Sequence, residues 1–515
     1  MLDKQNEGKK AFLTGAFTLT AGLLLSKVFG AVYRIPLTNM LGVYGMGIYQ
    51  LIFPLFALFM TLATAGIPTA ISKSVAEKLA LDDKRGALAV TKTALLFLGG
   101  LGTVAAVILF GLSEVLANIQ KAPETVTAYR IISASIPLCS LSAGFKGYFN
   151  GTMNMKPASV MHITEQSVKL VVGLAAVASQ LPDVIAGVYA AVFAIVISDA
   201  IGLILSAVWF FRKNGTLRNI PIKDGKNIIK QLISLSVPLT LTGMILPALH
   251  LADSFLFQNL TKENATELYG LWSGPAHSLI SMPSMLTMGI AAAIVPGIAK
   301  SIAAGDKKGA DENLNLALKL SFAVTLPASA GLALIGKPIG AMLYPALTEA
   351  ELDTFSLLLV CAAPGIIAMT LLMITSSALQ AQGAPYVPVI SLLTAAAIKL
   401  IAGGLCYKNQ GIGVLGESIS DSASYMVACF INLWYSVYGR RCSLNLWHDL
   451  LHPLAAALVM SFFLVCMNLF LKDSLGTVPG TCVAIIGAGA VYILTMMLTG
   501  FIKPVRIKEF ICRAR

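Results

Sequence analysis

Charged residues are scarce in this 515-residue chain, at 12%, where a soluble globular domain carries about 25%. That scarcity excludes a water-soluble enzyme or binding module as the body of the protein. Paired cysteines are missing too: the eight cysteines stand singly, mostly inside apolar runs, with no CxxC. They read as small buried hydrophobes rather than a disulfide framework or a metal site. No HExxH, GxSxG or cluster of metal ligands occurs, so neither an enzyme nor a bound metal is expected. Polar connections are too short for a separate soluble domain. The first ten residues are polar and mixed in charge, which predicts no removable signal peptide.

What is present is apolar. Hydrophobic residues make up 57% of the chain and mean hydropathy is +0.79. A spanning helix needs about 20 such residues. Fourteen candidate spans follow, the first two over 11–38 and 46–70, then four more to 211 and eight between 230 and 502. The expected fold is an all-α integral membrane protein: a first lobe (1–211), a basic linker (212–230), a second lobe (231–437), then two further helices and a basic tail (438–515).

With the N-terminus inside, 24 Lys and Arg fall on inner segments and 5 on outer loops, which predicts both termini in the cytoplasm. The net charge of +12 is thereby accounted for by a basic face beside anionic lipid, and no nucleic-acid partner is expected.

An internal repeat is legible. Gly66–Ala87 aligns with Gly289–Ala310 at a constant offset of 223, with ten of 22 pairs identical. A fainter echo pairs Lys169-Leu170 with Lys399-Leu400. Each copy holds six spans, so the repeat is parallel, a transporter-like plan.

The chemistry lies in charges at bilayer depth. Lys27, Arg34, Glu165, Lys169, Asp199, Asp253, Lys399, Glu417 and Asp421 all fall inside apolar runs. Nine unpaired charges at about 3 kcal/mol each would exceed the ~5–15 kcal/mol stability of a typical protein, so most must face one another or water. Glu165 and Lys169, at i and i+4, are expected to pair. Asp199 reads as a helix-packing group, whereas Lys146 and Arg130 are expected to snorkel. The first lobe sums to +1 and the second to −2, which suits an anionic substrate on one side and a proton or Na⁺ on the other. His250 and Asp253, three apart, are a candidate proton-coupling pair. Helix-interrupting prolines recur at 54, 137, 238, 247, 283, 327 and 364, with Pro36 kinking the first helix. Gly331 to Pro338 imitates a phosphate loop, but it lacks the Ser/Thr that would hold Mg²⁺; Gly42-x-x-Gly45-x-Gly47 lacks a preceding strand.

Lys27-Val28-Phe29-Gly30-Ala31-Val32-Tyr33-Arg34-Ile35-Pro36-Leu37 and Gly45-Met46-Gly47-Ile48-Tyr49-Gln50 resemble the opening of the SpoVB/polysaccharide-transporter proteins. Leu62–Lys73, Gly147-Tyr148-Phe149-Asn150-Gly151, Lys156-Pro157 and Glu165–Lys169 do so as well. These belong to the MOP superfamily, with the MurJ-like lipid II flippases and the MATE exporters. The resemblance implies flipping of an undecaprenyl-pyrophosphate-linked glycan, foremost lipid II, by alternating access across a bacterial plasma membrane. A monomer would rock about a cationic cavity, and a groove from the last two helices would receive the lipid tail. Lys27 and Arg34 match the first-helix cations expected to hold the pyrophosphate. Lys169 would line the same cavity. Gln50 and His277 stand where relatives commonly carry arginine. Asp253 matches an acidic residue of a Na⁺ site, with Glu165, Glu417 and Asp421 as further coupling or cavity charges. Lys399 stands where an acidic or amide ligand is expected, and its tethered ammonium could take the ion's place. No cofactor is implied beyond Na⁺ or H⁺ coupling. Other readings are export of another polyprenyl-linked polysaccharide, a MATE-like cation or drug antiporter, and a membrane scaffold.

Overall fold

The computed structural model describes residues 2–501 apart from 65, 219, 222–224, 410, 441, 445 and 476, and its side chains also leave out 2–21, 23–24, 292–293, 296, 446–449, 471–475 and 477. The basic tail expected at 503–515 lies outside the described residues. Every regular element described is helical. As far as their residues are described, most of each of the fourteen ranges read from the sequence is helical. Among the described residues, eleven stretches are long and apolar enough to cross a membrane, the first of them running Leu25–Ala80.

Two compact units divide the chain at Gly270 and Leu271. The first holds α1 (Leu2–Thr64), α2 (Ile67–Ala80), α3 (Lys84–Ile119), α4 (Thr125–Ser133), α5 (Ser135–Gly151), α6 (Lys156–Gln180), α7 (Val184–Asn214) and α8 (Gly225–Leu260). The short α9 (Ala265–Leu271) runs up to the division. A 63-residue α1 would be ~95 Å long if straight, three times the ~30 Å hydrocarbon core, so it cannot be one span. It breaks at Gly42 (φ 64°, ψ −177°), a conformation essentially confined to glycine. The sequence reading gave Pro36 a kink and left 39–45 between the first two spans; the helix continues through Pro36 and breaks at Gly42, inside that gap.

Unit 1 has two apolar cores. One joins Tyr33, Leu37, Leu41, Tyr49 and Ile52 of α1 to Tyr129 and Ile132 of α4 and Val188 and Val192 of α7. The other joins Ile71 and Val75 of α2, Leu98 of α3, Phe149 of α5, Phe210 of α7 and Leu232 of α8. The seventh span, α8, expected to open the second lobe, packs in the structure against α1, α2 and α3. Lys92 of α3 ties down the basic linker by donating to the Ile220 carbonyl at 2.8 Å.

Unit 2 begins with a π-helical turn (Trp272–Ala276) leading into α10 (His277–Ala303), then α11 (Lys307–Leu334), α12 (Gly336–Leu343), α13 (Glu349–Ala381), α14 (Tyr386–Lys408) and α15 (Leu415–Trp434). α16 (Leu446–Leu475) and α17 (Thr477–Leu498) close it. α13 is the hub, packing against α10, α11, α12 and α15. It starts with a capping box, in which the Thr348 backbone N–H donates to the Glu351 carboxylate at 2.7 Å. Serine hydroxyls join it to its neighbours: Ser418 and Ser422 of α15 donate to the carbonyls of Leu358 and Cys361, and Ser329 of α11 to that of Ala363, at 2.7–2.9 Å. Such bonds suit a setting where apolar surface alone does not drive helix association.

The internal repeat is structural. Asp83 and Asp306 cap α3 and α11 identically, accepting from Gly86 N at 2.7 Å and Gly309 N at 2.9 Å. The preceding residues, Asp82 (φ 56°) and Gly305 (φ 73°), share a left-handed backbone. A second matched turn ends α5 and α13: Asn154 N donates to Phe149 O, and Ala384 N to Leu379 O. That turn lies at an offset of 230, the same as Lys169 to Lys399.

Candidate functional site

Lys27 and Arg34 lie on the unbroken part of α1, before Gly42. Seven residues turn the helix by nearly two full turns, so both point to the same side, ~10 Å apart along the axis. Lys27 is exposed and Arg34 half-buried. Gln50, beyond the break, is buried.

The expected Glu165–Lys169 pair does not form. Glu165 instead accepts from Lys146 of α5 at 3.1 Å and lies 3.5 Å from the His162 imidazole. Its chain packs on Gly202 of α7, where any Cβ would collide with it. Lys146, expected to snorkel, is thus held inside, because a partly buried carboxylate one helix away outbids a distant interface. Lys169 turns to aromatic faces, its Nζ 5.2 Å from the centroid of Tyr33 and 5.6 Å from that of Phe53. Such contacts contribute ~0.5–2 kcal/mol and leave the ammonium its positive charge. Asp199 accepts a hydrogen bond from Ser135 of α5, in keeping with a helix-packing role. Arg130 reaches Glu114 at 2.6 Å on the exposed flank.

Asp253 is buried on α8 within unit 1, whereas His250 is exposed. Among the sequence-expected site residues, unit 1 therefore holds Lys27, Arg34, Gln50, Glu165, Lys169 and Asp253.

Unit 2 holds a buried charge trio. Lys399 of α14 (3% exposed) donates to Glu417 of α15 at 3.4 Å and to Asp421 one turn on. Two carboxylates against one ammonium leave a net −1. The second lobe's expected −2 relied on Asp253, which the structure groups with unit 1. His277 stands at the end of the π-helical turn, its ring 5.6 Å from that of Trp272. The phosphate-loop look-alike is disposed of by Lys337, whose ammonium is engaged by Glu349 at 3.0 Å and by Asp353. Their carboxylates hold its pKa above the ordinary lysine value.

Unit 2 also carries an apolar groove of about 390 Å³. Leu279 and Leu286 of α10, Pro327 and Leu332 of α11, Leu464 of α16 and Ile485 of α17 are among its walls. Glycines open it: at Gly331 and Gly489 an added Cβ would meet nothing within 4 Å. The last two helices thus do supply a groove wall, as the family resemblance implied, with α10 and α11 completing it.

Sequence reasoning missed Lys146 and His162 as partners of Glu165. His162 at i−3 was a readable signal; Lys146 was not, because its pairing depends on how α5 packs against α6.

A family model described as polysaccharide biosynthesis protein matches residues 12–302, and one described as MatE matches 238–403. The chain is 27% identical over 506 residues to the uncharacterized membrane protein YabM of Bacillus subtilis, covering 94% of this chain and 92% of that protein. It is 23% identical over 528 residues to the lipid II flippase MurJ of the same organism, covering 96% of each. A solved structure of lipid II flippase MurJ in an inward closed conformation superposes with a TM-score of 0.75 at 15% identity, covering 93% of this chain and 98% of that one.

Proposed function

Because this chain belongs to the polysaccharide biosynthesis protein family, multi-pass membrane transporters of the MOP superfamily rather than enzymes, we propose that it flips a lipid-linked oligosaccharide. The substrate we favour is an undecaprenyl-pyrophosphate-linked peptidoglycan precursor, lipid II, moved from the inner to the outer leaflet with both termini of the protein cytoplasmic. The observation that carries this reading is the apolar groove walled by α10, α11, α16 and α17. A polyprenyl chain is a long hydrocarbon that needs a continuous apolar track, whereas a compact drug cation does not. Lys27 and Arg34 supply the charge for a pyrophosphate, the guanidinium offering two parallel donors to its oxygens. Lys169, still charged against Tyr33 and Phe53, adds to the cationic side of unit 1.

In this reading Lys399 is a built-in counter-ion for Glu417 and Asp421, which makes a proton rather than Na⁺ the coupling ion. The MATE-like antiporter is the second reading, favoured by the MatE match over 238–403. The two separate in cells depleted of their native lipid II flippase. Rescue by the wild type, lost in Lys27→Ala and Arg34→Ala at equal expression, is expected. Full rescue by both variants overturns the assignment of those residues. Failure of the wild type overturns lipid II as substrate.

A further inference from the structure

Unit 1 has a concavity of its own, at the end opposite the starts of α3 and α8. It forms where three segments meet: Tyr44 just past the α1 break, Lys121 after α3, and the stretch from the end of α8 into α9, which supplies Gln258, Thr261, Lys262 and Glu267. Its volume is about 290 Å³.

The pocket is built into the packing. α9 lies so close to α1 that a Cβ on Gly47 would strike the Thr266 carbonyl, and one on Gly270 the Val43 carbonyl. Asn259 donates to the Ile119 carbonyl at 2.9 Å, and Lys121 to the Asn259 carbonyl at 3.5 Å. The walls are therefore stitched to one another across more than a hundred residues of sequence.

Two donors in it have no hydrogen-bond partner among the described residues. Gln258 is 3% exposed. Its Oε1 accepts from Thr266 at 3.4 Å, but its Nε2 is buried without an acceptor, and so is the Thr261 hydroxyl. Burying an unmet donor costs free energy, and folded proteins rarely tolerate it. Both groups belong to the same small pocket, which is the signature of a missing polar ligand.

The inventory decides its class. The amide N–H₂, a hydroxyl and two ammonium groups donate; the Glu267 carboxylate accepts; Tyr44 offers an aromatic face and a phenol. A bare oxyanion has no use for a carboxylate and is repelled by it. A ligand rich in hydroxyl and acetamido groups uses both kinds of partner. Drug-sized ligands occupy roughly 300–1,000 Å³, so this pocket takes one or two sugar rings. We propose that it is a saccharide subsite, which receives the sugar portion of the transported glycan at the end of unit 1 away from the starts of α3 and α8. This rests on the reading of the protein as a glycan flippase.

The test uses the full chain in a zwitterionic detergent, since maltoside and glucoside detergents would compete. N-acetylglucosamine and its β1,4-linked disaccharide are the probes, read by saturation-transfer NMR. Transfer to the sugar is expected, with affinity falling about three- to tenfold in Gln258→Leu and in Thr261→Val, the loss of one hydrogen bond. Excess inorganic phosphate should not displace it. Thermal midpoints of both variants control for folding, and either variant alone suffices. Absence of transfer from both sugars, equal affinity in a folded variant, or displacement by phosphate overturns the subsite. Binding that survives in a wild type unable to rescue cells depleted of their lipid II flippase supports the subsite and overturns lipid II as substrate alone.

Discussion

Lys169 lies over the ring of Tyr33, its Nζ 5.2 Å from the centroid, and not beside the glutamate one helical turn before it. The consequence is that the Lys169 ammonium is not paired with Glu165. Glu165 is engaged by Lys146 instead, so the Lys169 ammonium is left to the aromatic faces.

Glu165 and Lys146 should behave as a coupled pair in stability. Both are largely buried, and removing one partner of such a pair costs about 3–5 kcal/mol. Lys146→Met and Glu165→Gln should each destabilise by an amount toward the lower end of that range, and the double variant by less than the sum. Denaturation midpoints of the purified protein measure this. Strict additivity would show that the two groups do not interact.

Gly42→Ala should destabilise by about 1–3 kcal/mol, the cost of forcing a side chain into a backbone region that glycine alone occupies readily. No neighbour lies within 4 Å of the would-be Cβ, so the effect is purely conformational. Gly100→Ala, inside α3 with equally open surroundings, should instead stabilise by up to ~1 kcal/mol. Equal midpoints for the two variants would count against the break at Gly42.

Gly331→Leu and Gly489→Leu should separate folding from transport. Both side chains would enter open groove space, and replacing a helical glycine favours the helix by a few tenths to ~1 kcal/mol. Unchanged or higher midpoints are expected, together with failed rescue of flippase-depleted cells. Full rescue by both would remove the groove from the transport path.

Lys399→Met strips the ammonium from two buried carboxylates. A loss of about 3–5 kcal/mol is expected, recovered in part by adding Asp421→Asn. Replacing Na⁺ with choline should leave the wild-type midpoint unmoved and lower that of Lys399→Met, because only the variant has an open cation site. A Na⁺-sensitive wild type would show that Lys399 does not fill the ion's place.

The division of labour between sequence and tertiary structure follows range. Helices, apolar runs, the basic connections and the repeat at an offset of 223 are written in the sequence, and the structure places helix over most of each expected span, as far as it is described, and the same aspartate cap on both copies of the repeat. Break positions were less legible: Pro36 and Gly42 both interrupt a helical pattern on paper. Only the structure shows that the helix runs on through Pro36 and breaks at a glycine with positive φ. The partners of the buried charges were least legible. Periodicity offered Glu165 to Lys169, but the approach of α5 gave the carboxylate to Lys146 and left Lys169 to the Tyr33 and Phe53 rings. The same holds for α8, which the count of spans put with the second lobe and packing put beside α1. Hydrophobic length acts along the chain and can be read from it. Which helix a charged side chain meets depends on contacts between residues far apart in sequence, and those exist only once the helices have packed.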